Sequence, residues 1–140
     1  MRIYKDRATS HPPGSKANGS PKEEGHNQRL GSAGENLVAL EYEKQGYEII
    51  GRNVRVPRAE IDIIAKSPEG IYCFVEVKSR SSTRFGGLEA ITPAKLRRMH
   101  RAALSWLFES KHYGCPYRVD VAELIMDPGG HVLNVISGVD

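Results

Sequence analysis

The stretch Phe74-Val75-Glu76-Val77-Lys78 is a short apolar run that contains two opposite charges. In a β-strand, side chains two residues apart share a face, so Glu76 and Lys78 point one way while Val75 and Val77 point the other. A carboxylate and an ammonium group are therefore predicted to lie side by side on one face of a strand.

A second run, Glu60 to Ala65, has the β-branched composition of a strand, and a Ser-Pro-Glu-Gly turn separates the two runs. Pro68 suits the first central position of a type I turn, and Gly70 suits the left-handed residue that closes a three-residue hairpin loop. Such a loop pairs Ser67 with Ile71. The same register sets Asp62 opposite Glu76.

This register gathers four charged side chains on one face of the hairpin: Glu60, Asp62, Glu76 and Lys78. The other face is a predicted core, made of Ile61, Ile63, Ala65, Cys73, Val75 and Val77. A four-residue loop would instead pair Asp62 with Val75 and separate the carboxylates. The grouping of the charges therefore depends on the length of the turn.

Two opposed carboxylates repel each other unless they share one proton at a raised pKa or a cation lies between them. Hard divalent cations such as Mg²⁺ prefer carboxylate oxygens. A metal site at Asp62 and Glu76 is one interpretation. Ordinary solvated charges on the outer face of a hairpin are the other.

The order of Asp62, thirteen intervening residues and Glu76-Val77-Lys78 resembles the PD-(D/E)XK signature of restriction-endonuclease-like folds and archaeal Holliday junction resolvases. The residues around it, 59–65 and 74–80, are more similar still to the bacterial YraN-like family of predicted nucleases. The resemblance extends from about Gly31 to about Leu124. It implies an α/β, restriction-endonuclease-like fold, in which helices flank a central mixed β-sheet (an αβββαβ core) and a C-terminal strand is added.

The resemblance also implies a metal-dependent endonuclease that hydrolyses DNA phosphodiester bonds, including those of branched or junction DNA. The implied catalytic residues are Asp62, Glu76 and Lys78. The implied ligands of Mg²⁺ or Mn²⁺ are Asp62, Glu76, the carbonyl of Val77 and Glu35. The alternative is a noncatalytic nucleic-acid-binding or scaffolding module that keeps the fold. A homodimer is compatible with either.

Two helices complete the predicted core. Ser32 and Glu35 have the spacing of a capping box that opens a helix ending at Gly46, so Glu35 is either a capping residue or a metal ligand. Thr92 and Pro93 open a second helix that runs to about Ser110, with an apolar stripe for the core. Two strands follow, at 117–126 and 131–136, around an Asp-Pro-Gly-Gly turn.

Basic residues near the predicted site are candidates for contact with the phosphates of a nucleic acid, which is most simply DNA. They precede the acidic strand, follow Lys78 in a polar loop, or form a row on the second helix. Solvated surface charge explains each of them equally well. The candidates are Arg52, Arg55, Arg58, Arg80, Arg84, Lys95 and Arg98.

The chain of 140 residues suits one domain, predicted at 29–140, preceded by a basic arm at 1–28 that is predicted to be disordered because it is rich in Pro, Gly and Ser. Residues 1–29 hold six Lys or Arg against three Asp or Glu, and the rest of the chain is balanced. No apolar run approaches the roughly 20 residues of a membrane span. We expect a cytoplasmic protein without membrane contact. The two cysteines provide neither a disulfide framework nor a zinc site.

Overall fold

The computed structural model describes residues 2–6, 23–81 and 91–139. These residues form the following elements in chain order: β1 (Arg2–Asp6), α1 (Glu23–Lys44), β2 (Glu48–Val56), β3 (Ala59–Lys66), β4 (Tyr72–Ser81), α2 (Pro93–Glu109), β5 (Tyr117–Asp127) and β6 (Gly130–Ile136). No helix in this part of the chain is long and apolar enough to cross a membrane.

The strands form one sheet in the order β1-β6-β5-β4-β3-β2. Strands β4 and β5 are parallel because α2 crosses between them, and the other neighbours are antiparallel. Helix α1 packs Val38 and Tyr42 against Val75 on one face of the sheet, while α2 packs Ala103 and Leu107 near Phe74 on the other. The predicted α/β, restriction-endonuclease-like fold is confirmed, with its mixed sheet, its αβββαβ order and its added C-terminal strand.

The turn between β3 and β4 has the predicted three-residue loop. The Ser67 amide donates to the Ile71 carbonyl at 2.8 Å, and the Gly70 amide donates to the Ser67 carbonyl at 2.9 Å. Gly70 has a φ of +90°, which a residue without a Cβ adopts at little cost. The ladder beyond the loop pairs Ala65 with Cys73, so the predicted register is confirmed.

The regular alternation of β3 is broken at Asp62. The β3–β4 ladder reaches Ile63 paired with Val75, and beyond it the Val77 amide donates to the Asp62 carboxylate at 2.8 Å. Ile63 packs in the core under α1, whereas Ile61 packs in the core under α2. Residues two apart on a regular strand share a face, so the predicted common core face is wrong at Ile61.

The face that carries the charges is also partly a core. Ile64, Tyr72 and Phe74 are buried in the cluster beneath α2. The sequence predicts a polar face here because it carries Glu60, Asp62, Glu76 and Lys78. Helix α2 covers the part of that face nearer the turn between β3 and β4. The charged part of the face lies beside the first turns of the same helix.

Helix α1 begins earlier than predicted. It starts at Glu23, so Ser32 lies inside the helix and the predicted capping box is wrong. Residues 23–31 contain no proline and several good helix formers, so the helix extends through them. The end of α1 is as predicted: Gly46 has a φ of +87°, and the Tyr47 amide donates back to the Tyr42 carbonyl at 3.0 Å.

Strand β1 and the first turns of α1 fall within the range that was predicted to be a disordered arm. Strand β1 pairs with β6, and its Arg-Ile-Tyr-Lys-Asp sequence includes the β-branched and aromatic residues that strands favour. Residues 7–22 of the arm lie outside the described part of the chain. The division of the chain into an arm and a domain stays a prediction.

Helix α2 begins as predicted. The Thr92 hydroxyl accepts a hydrogen bond from the Lys95 amide at 3.1 Å, and Pro93 is the first helical residue. Ala102, Ala103 and Leu107 are buried against the sheet. This start aims the first turn of α2 at the charged end of β4.

Candidate functional site

Asp62 lies where β3 and β4 separate. The Val77 amide donates to its carboxylate at 2.8 Å, in place of a ladder hydrogen bond between the two strands. This contact fixes the carboxylate beside the strand that carries Glu76 and Lys78. The hairpin register and the local break in β3 thus aim Asp62 at Glu76, the residue predicted to lie opposite.

Burial and the neighbouring Glu76 carboxylate raise the pKa of Asp62 from its usual 3.8 to about 7. The Val77 hydrogen bond opposes this shift, and the Glu35 carboxylate adds to it. A hydrogen bond between the side chains of Asp62 and Glu76 also favours the protonated form. The Asp62 carboxyl therefore keeps its proton to a higher pH than a solvent-exposed aspartate does.

Two ammonium groups neutralise Glu76. The Lys95 Nζ lies 3.2 Å from its Oε1, and the Lys78 Nζ lies 3.8 Å from the same oxygen. Both lysine side chains are more than half shielded from solvent. Glu76 thus joins β4 to the first turn of α2 through a cluster of one acid and two bases.

The pKa of Lys78 is lowered by hydrogen bonding with the Lys95 side chain, and then by burial and by the positive charge of Lys95. The carboxylates of Glu76 and Asp62 act in the opposite direction. Lowering the pKa of an ammonium group makes the neutral amine, a base, easier to form. Lys78 is in this way better prepared to exchange a proton than an isolated lysine is.

Lys95 contributes to the site in a way that the sequence did not indicate. It belongs to the predicted basic row of the second helix, but it faces the sheet together with Arg98, Met99 and Ala102. These three residues follow Lys95 by three, four and seven positions, a spacing that places all four on one face of the helix. That spacing is the signal from which the inward direction of Lys95 follows.

Glu35 lies on α1 within electrostatic range of Asp62. Arg52 lies 3.9 Å from its carboxylate, and the Asn53 amide, oriented with its nitrogen toward Glu35, donates to both oxygens at 3.2 Å. Asn53 has a positive φ of 50°, which asparagine tolerates better than most residues. Glu35 therefore links α1 to β2 beside the acid pair, and its role as a metal ligand stays a prediction.

The predicted basic residues have different surroundings. Arg58 and Arg98 line a pocket next to Glu76, and Arg52 lies at Glu35. Arg55 is 89% exposed and lies 3.9 Å from Glu60, while Arg80 lies 3.4 Å from the buried Glu123. Arg84 lies outside the described residues. The structure thus brings Arg52, Arg58, Lys95 and Arg98 near the acids.

The carboxylate oxygens at the site are of the kind that a hard divalent ion binds, although they do not form a complete cage. The described residues contain no group of three or more His, Cys, Asp or Glu side chains arranged to hold a metal. Mg²⁺ is commonly held by one or two carboxylates, with water and substrate phosphate completing its shell. The carboxylate of Asp62, held beside the strand of Glu76 by the Val77 amide, is the feature that favours a cation here.

A second polar cluster lies on the α1 face of the sheet. Asp120 is fully buried and accepts hydrogen bonds from Tyr42 at 2.7 Å, from Arg118 at 3.0 and 3.2 Å, and from the Gly138 amide at 3.2 Å. Arg118 also donates to the Tyr47 hydroxyl at 2.6 Å. This cluster ties α1, β5 and the segment after β6 together, so the role of Asp120 in it is structural.

The amino-acid sequence of this chain is similar to those of one protein family. Residues 34–124 match the model of the uncharacterised protein family UPF0102. UPF0102 protein CE1920 of Corynebacterium efficiens is 49% identical over 115 residues, which are 81% of this chain and 93% of that protein. UPF0102 protein DIP1513 of Corynebacterium diphtheriae is 44% identical over 110 residues, which are 76% of this chain and 86% of that protein.

A more distant relative and a solved structure are also similar. A UPF0102 protein of Caldicellulosiruptor saccharolyticus is 43% identical over 76% of this chain and 90% of its own length. The structure of Pyrococcus furiosus SfsA in complex with Ca²⁺ is similar with a TM-score of 0.38 and 18% identity, covering 79% of this chain and 62% of that one. The likeness to SfsA is too weak to bear on function.

Proposed function

We propose that this chain, which belongs to the uncharacterised protein family UPF0102 as its YraN-like motif strands predicted, is a metal-dependent endonuclease that hydrolyses DNA phosphodiester bonds. The observation that supports this most directly is the cluster of Asp62, Glu76 and Lys78 at the separation of two strands. The nuclease-like fold presents these three side chains beside the first turn of α2.

Asp62 and Glu76 would hold Mg²⁺ or Mn²⁺, together with the Val77 carbonyl and with Glu35 as a further candidate. The ion would supply a water of lowered pKa and stabilise the charge that develops on the phosphate. The Val77 amide keeps the Asp62 carboxylate directed at this position. These hard oxygen ligands are the kind that the chemistry requires.

Lys78 is the proposed proton carrier. Its pKa is lowered chiefly through its contact with Lys95, so it takes a proton from an attacking water more readily than an ordinary lysine does. Lys95, Arg58 and Arg98 carry positive charge at the edge of the same cleft. In the proposal they contact the phosphates on either side of the scissile bond and position the strand.

The test is cleavage of labelled duplex, single-stranded, flap and four-way-junction DNA with Mg²⁺ or Mn²⁺. We expect metal-dependent cutting that falls at least about a hundredfold in Asp62→Asn and Glu76→Gln, because each removes a carboxylate that would hold the ion. Glu43→Gln is the control: it removes an exposed carboxylate of α1, outside the residues that line the cleft, and should cut normally.

Thermal unfolding with and without Mn²⁺ gives a second readout that does not depend on cutting. Mn²⁺ should stabilise the wild type and the Glu43→Gln control but not the other two variants, since binding to the folded state alone raises stability. If the wild type binds these DNAs without cutting them in either metal, and both site variants bind equally well, the protein is a noncatalytic nucleic-acid-binding module.

A further inference from the structure

A pocket of about 230 Å³ opens directly beside the acid pair. It lies between β3, β4 and α2, and Glu76 and Lys95 form part of its wall. A group that enters this pocket is therefore next to the carboxylates. The pocket is smaller than the roughly 300–1,000 Å³ of sites for drug-sized molecules, so it suits one flat ring system rather than a base pair.

The floor of the pocket is apolar and recessed. Ile61, Phe74 and Ala102 contribute to it and are each less than a tenth exposed, while Met99 reaches it from α2. Apolar and aromatic side chains of this kind accept the flat face of a base. A base that is stacked and paired in a duplex has its faces covered, so only a base that has left the stack reaches this floor.

The rim of the pocket is positively charged. Arg58, in the turn between β2 and β3, and Arg98, on α2, both line it, and neither has an ion-pair partner among the described residues. Arg58 has a φ of +65°, an unfavourable conformation for a residue of this size. The two guanidinium groups are available to contact phosphates or to stack on a base.

The sequence of α2 places positive charge where a helix alone disfavours it. Its first turn contains Lys95 and no acidic residue, and Arg97 and Arg98 follow. The N-terminus of a helix is the positive end of its dipole and favours acidic side chains. The ion pair with Glu76 accounts for Lys95. Helix stability does not explain Arg97 and Arg98, whereas a polyanion at the cleft does.

From these four features we propose that the pocket bounded by Arg58, Met99 and Arg98 binds a single unstacked nucleobase next to the scissile phosphate. The inference rests on the proposed function insofar as it takes a DNA strand as the ligand. It narrows the substrate class to DNA with an unpaired nucleotide at the cleavage position, as in a bulge, a flap or a junction. Fully paired DNA fills the cleft less well because its bases stay in the stack.

The test is binding in EDTA, where no metal-dependent cleavage takes place. Three labelled duplexes are compared by fluorescence anisotropy: a fully paired duplex, the same duplex with one unpaired nucleotide, and the latter with that nucleotide abasic. We expect the unpaired base to improve affinity about tenfold over the abasic form, the size of one base-stacking contact. Equal affinities for the base and the abasic site would overturn the proposal, as would failure to bind any of the three.

A fluorescent base locates the contact without any substitution. The analogue 2-aminopurine at the unpaired position should become shielded from acrylamide when the protein binds, whereas 2-aminopurine at a paired position four nucleotides away should not. Equal quenching at the two positions would contradict binding of the unpaired base in the pocket.

The variant Met99→Trp fills the pocket from α2 and should abolish both the tenfold preference and the shielding. Its control is Leu104→Trp, which adds the same side chain at an exposed position of the same helix and should behave as the wild type. These measurements need no cutting, so they separate the two proposals. A preference for the unpaired base without cleavage of any DNA refutes the nuclease and supports the base pocket. Cleavage without that preference supports the nuclease and refutes the base pocket.

Discussion

Asp62 is a carboxylate in surroundings that do not favour its charge. It is partly buried, faces Glu76 and lies within electrostatic range of Glu35, and these together raise its pKa to about 7. In the folded protein the Asp62 carboxyl therefore binds a proton more tightly than in the unfolded chain, where its pKa is near 3.8. Its contribution to stability is fully present below about pH 4 and is lost as the pH rises through about 7.

Asp62→Asn is expected to stabilise the metal-free protein at pH 8 by roughly 1–3 kcal/mol, because the amide cannot ionise and its oxygen still accepts from Val77. At pH 4 the two proteins should be about equally stable. Urea unfolding in EDTA at both pH values measures this. Glu60→Gln, at a more exposed carboxylate, should show no such pH-dependent gain. A variant less stable than the wild type at pH 8 would contradict the prediction.

At the scale of elements, α1 approaches β4 closely at one position. A Cβ added at Gly34 would overlap the Ser79 hydroxyl and lie 3.3 Å from Leu124 Cδ2. The Ser79 Oγ is buried and has no hydrogen-bond partner among the described residues. Glycine is thus required on the helix next to Glu35, even though it lowers helix propensity there.

Gly34→Ala is expected to destabilise the protein by roughly 1–3 kcal/mol, because the added methyl group moves the helix away from the strand. Ser79→Ala should be neutral or stabilising by up to about 1 kcal/mol, since the lost hydroxyl was buried and unpaired. In the double variant the cost of Gly34→Ala should largely disappear. Denaturant unfolding of the four proteins gives this coupling.

Asn36→Ala, at an exposed position of α1, controls for helix propensity in that series. Alanine is the better helix former, so this variant should be slightly more stable than the wild type. Additive effects of the Gly34 and Ser79 substitutions would show that their contact does not limit the packing of α1 on β4.

Local chemistry made the grouping of Asp62, Glu76 and Lys78 predictable. Pro68 and Gly70 determine the hairpin loop, the loop determines the register, and the register aligns the acids. The same kind of local signal identified the start of α2 at Thr92. The start of α1 was missed because a Ser-x-x-Glu pattern inside a longer helix is indistinguishable in sequence from a capping box.

The remaining parts of the site depend on tertiary structure. Lys95 faces Glu76 only because the crossover places α2 over β3 and β4, and the break at Asp62 exists only because these strands separate. The bonds that join Tyr42 and Arg118 to Asp120 connect distant parts of the chain, so no local pattern marks them. Local patterns determine the order of the elements and the helical face on which Lys95 lies, but not which residues of other elements these side chains contact.

At the scale of the whole molecule, the Asp120 cluster holds the two ends of the fold together. It joins α1 through Tyr42, β5 through Arg118 and the C-terminal segment through Gly138. Asp120 is fully buried, and its charge is matched by the largely buried guanidinium group of Arg118. Removing one partner of such a pair leaves the other charge buried without compensation.

Asp120→Asn is expected to lower the free energy of unfolding by roughly 2–4 kcal/mol, since Arg118 loses its anionic partner. Urea unfolding measures this loss. Glu109→Gln, at an exposed position at the end of α2, should change stability by less than about 0.5 kcal/mol. Mn²⁺ binding by the folded variant should equal that of the wild type, and weakened Mn²⁺ binding would contradict the supporting role of Asp120.

The turn at Pro68, Glu69 and Gly70 makes the acid pair vulnerable to insertions and deletions far along the hairpin. A chain with one extra residue there would still contain Asp62, the Glu-Val-Lys triplet and every flanking letter of the signature. Its register would slip by one, and the two carboxylates would face opposite sides of the sheet. The length of the loop is therefore as much a part of this motif as its residue types. A sequence search that tolerates a variable gap between the two strands would accept chains in which the two carboxylates lie on opposite faces of the sheet.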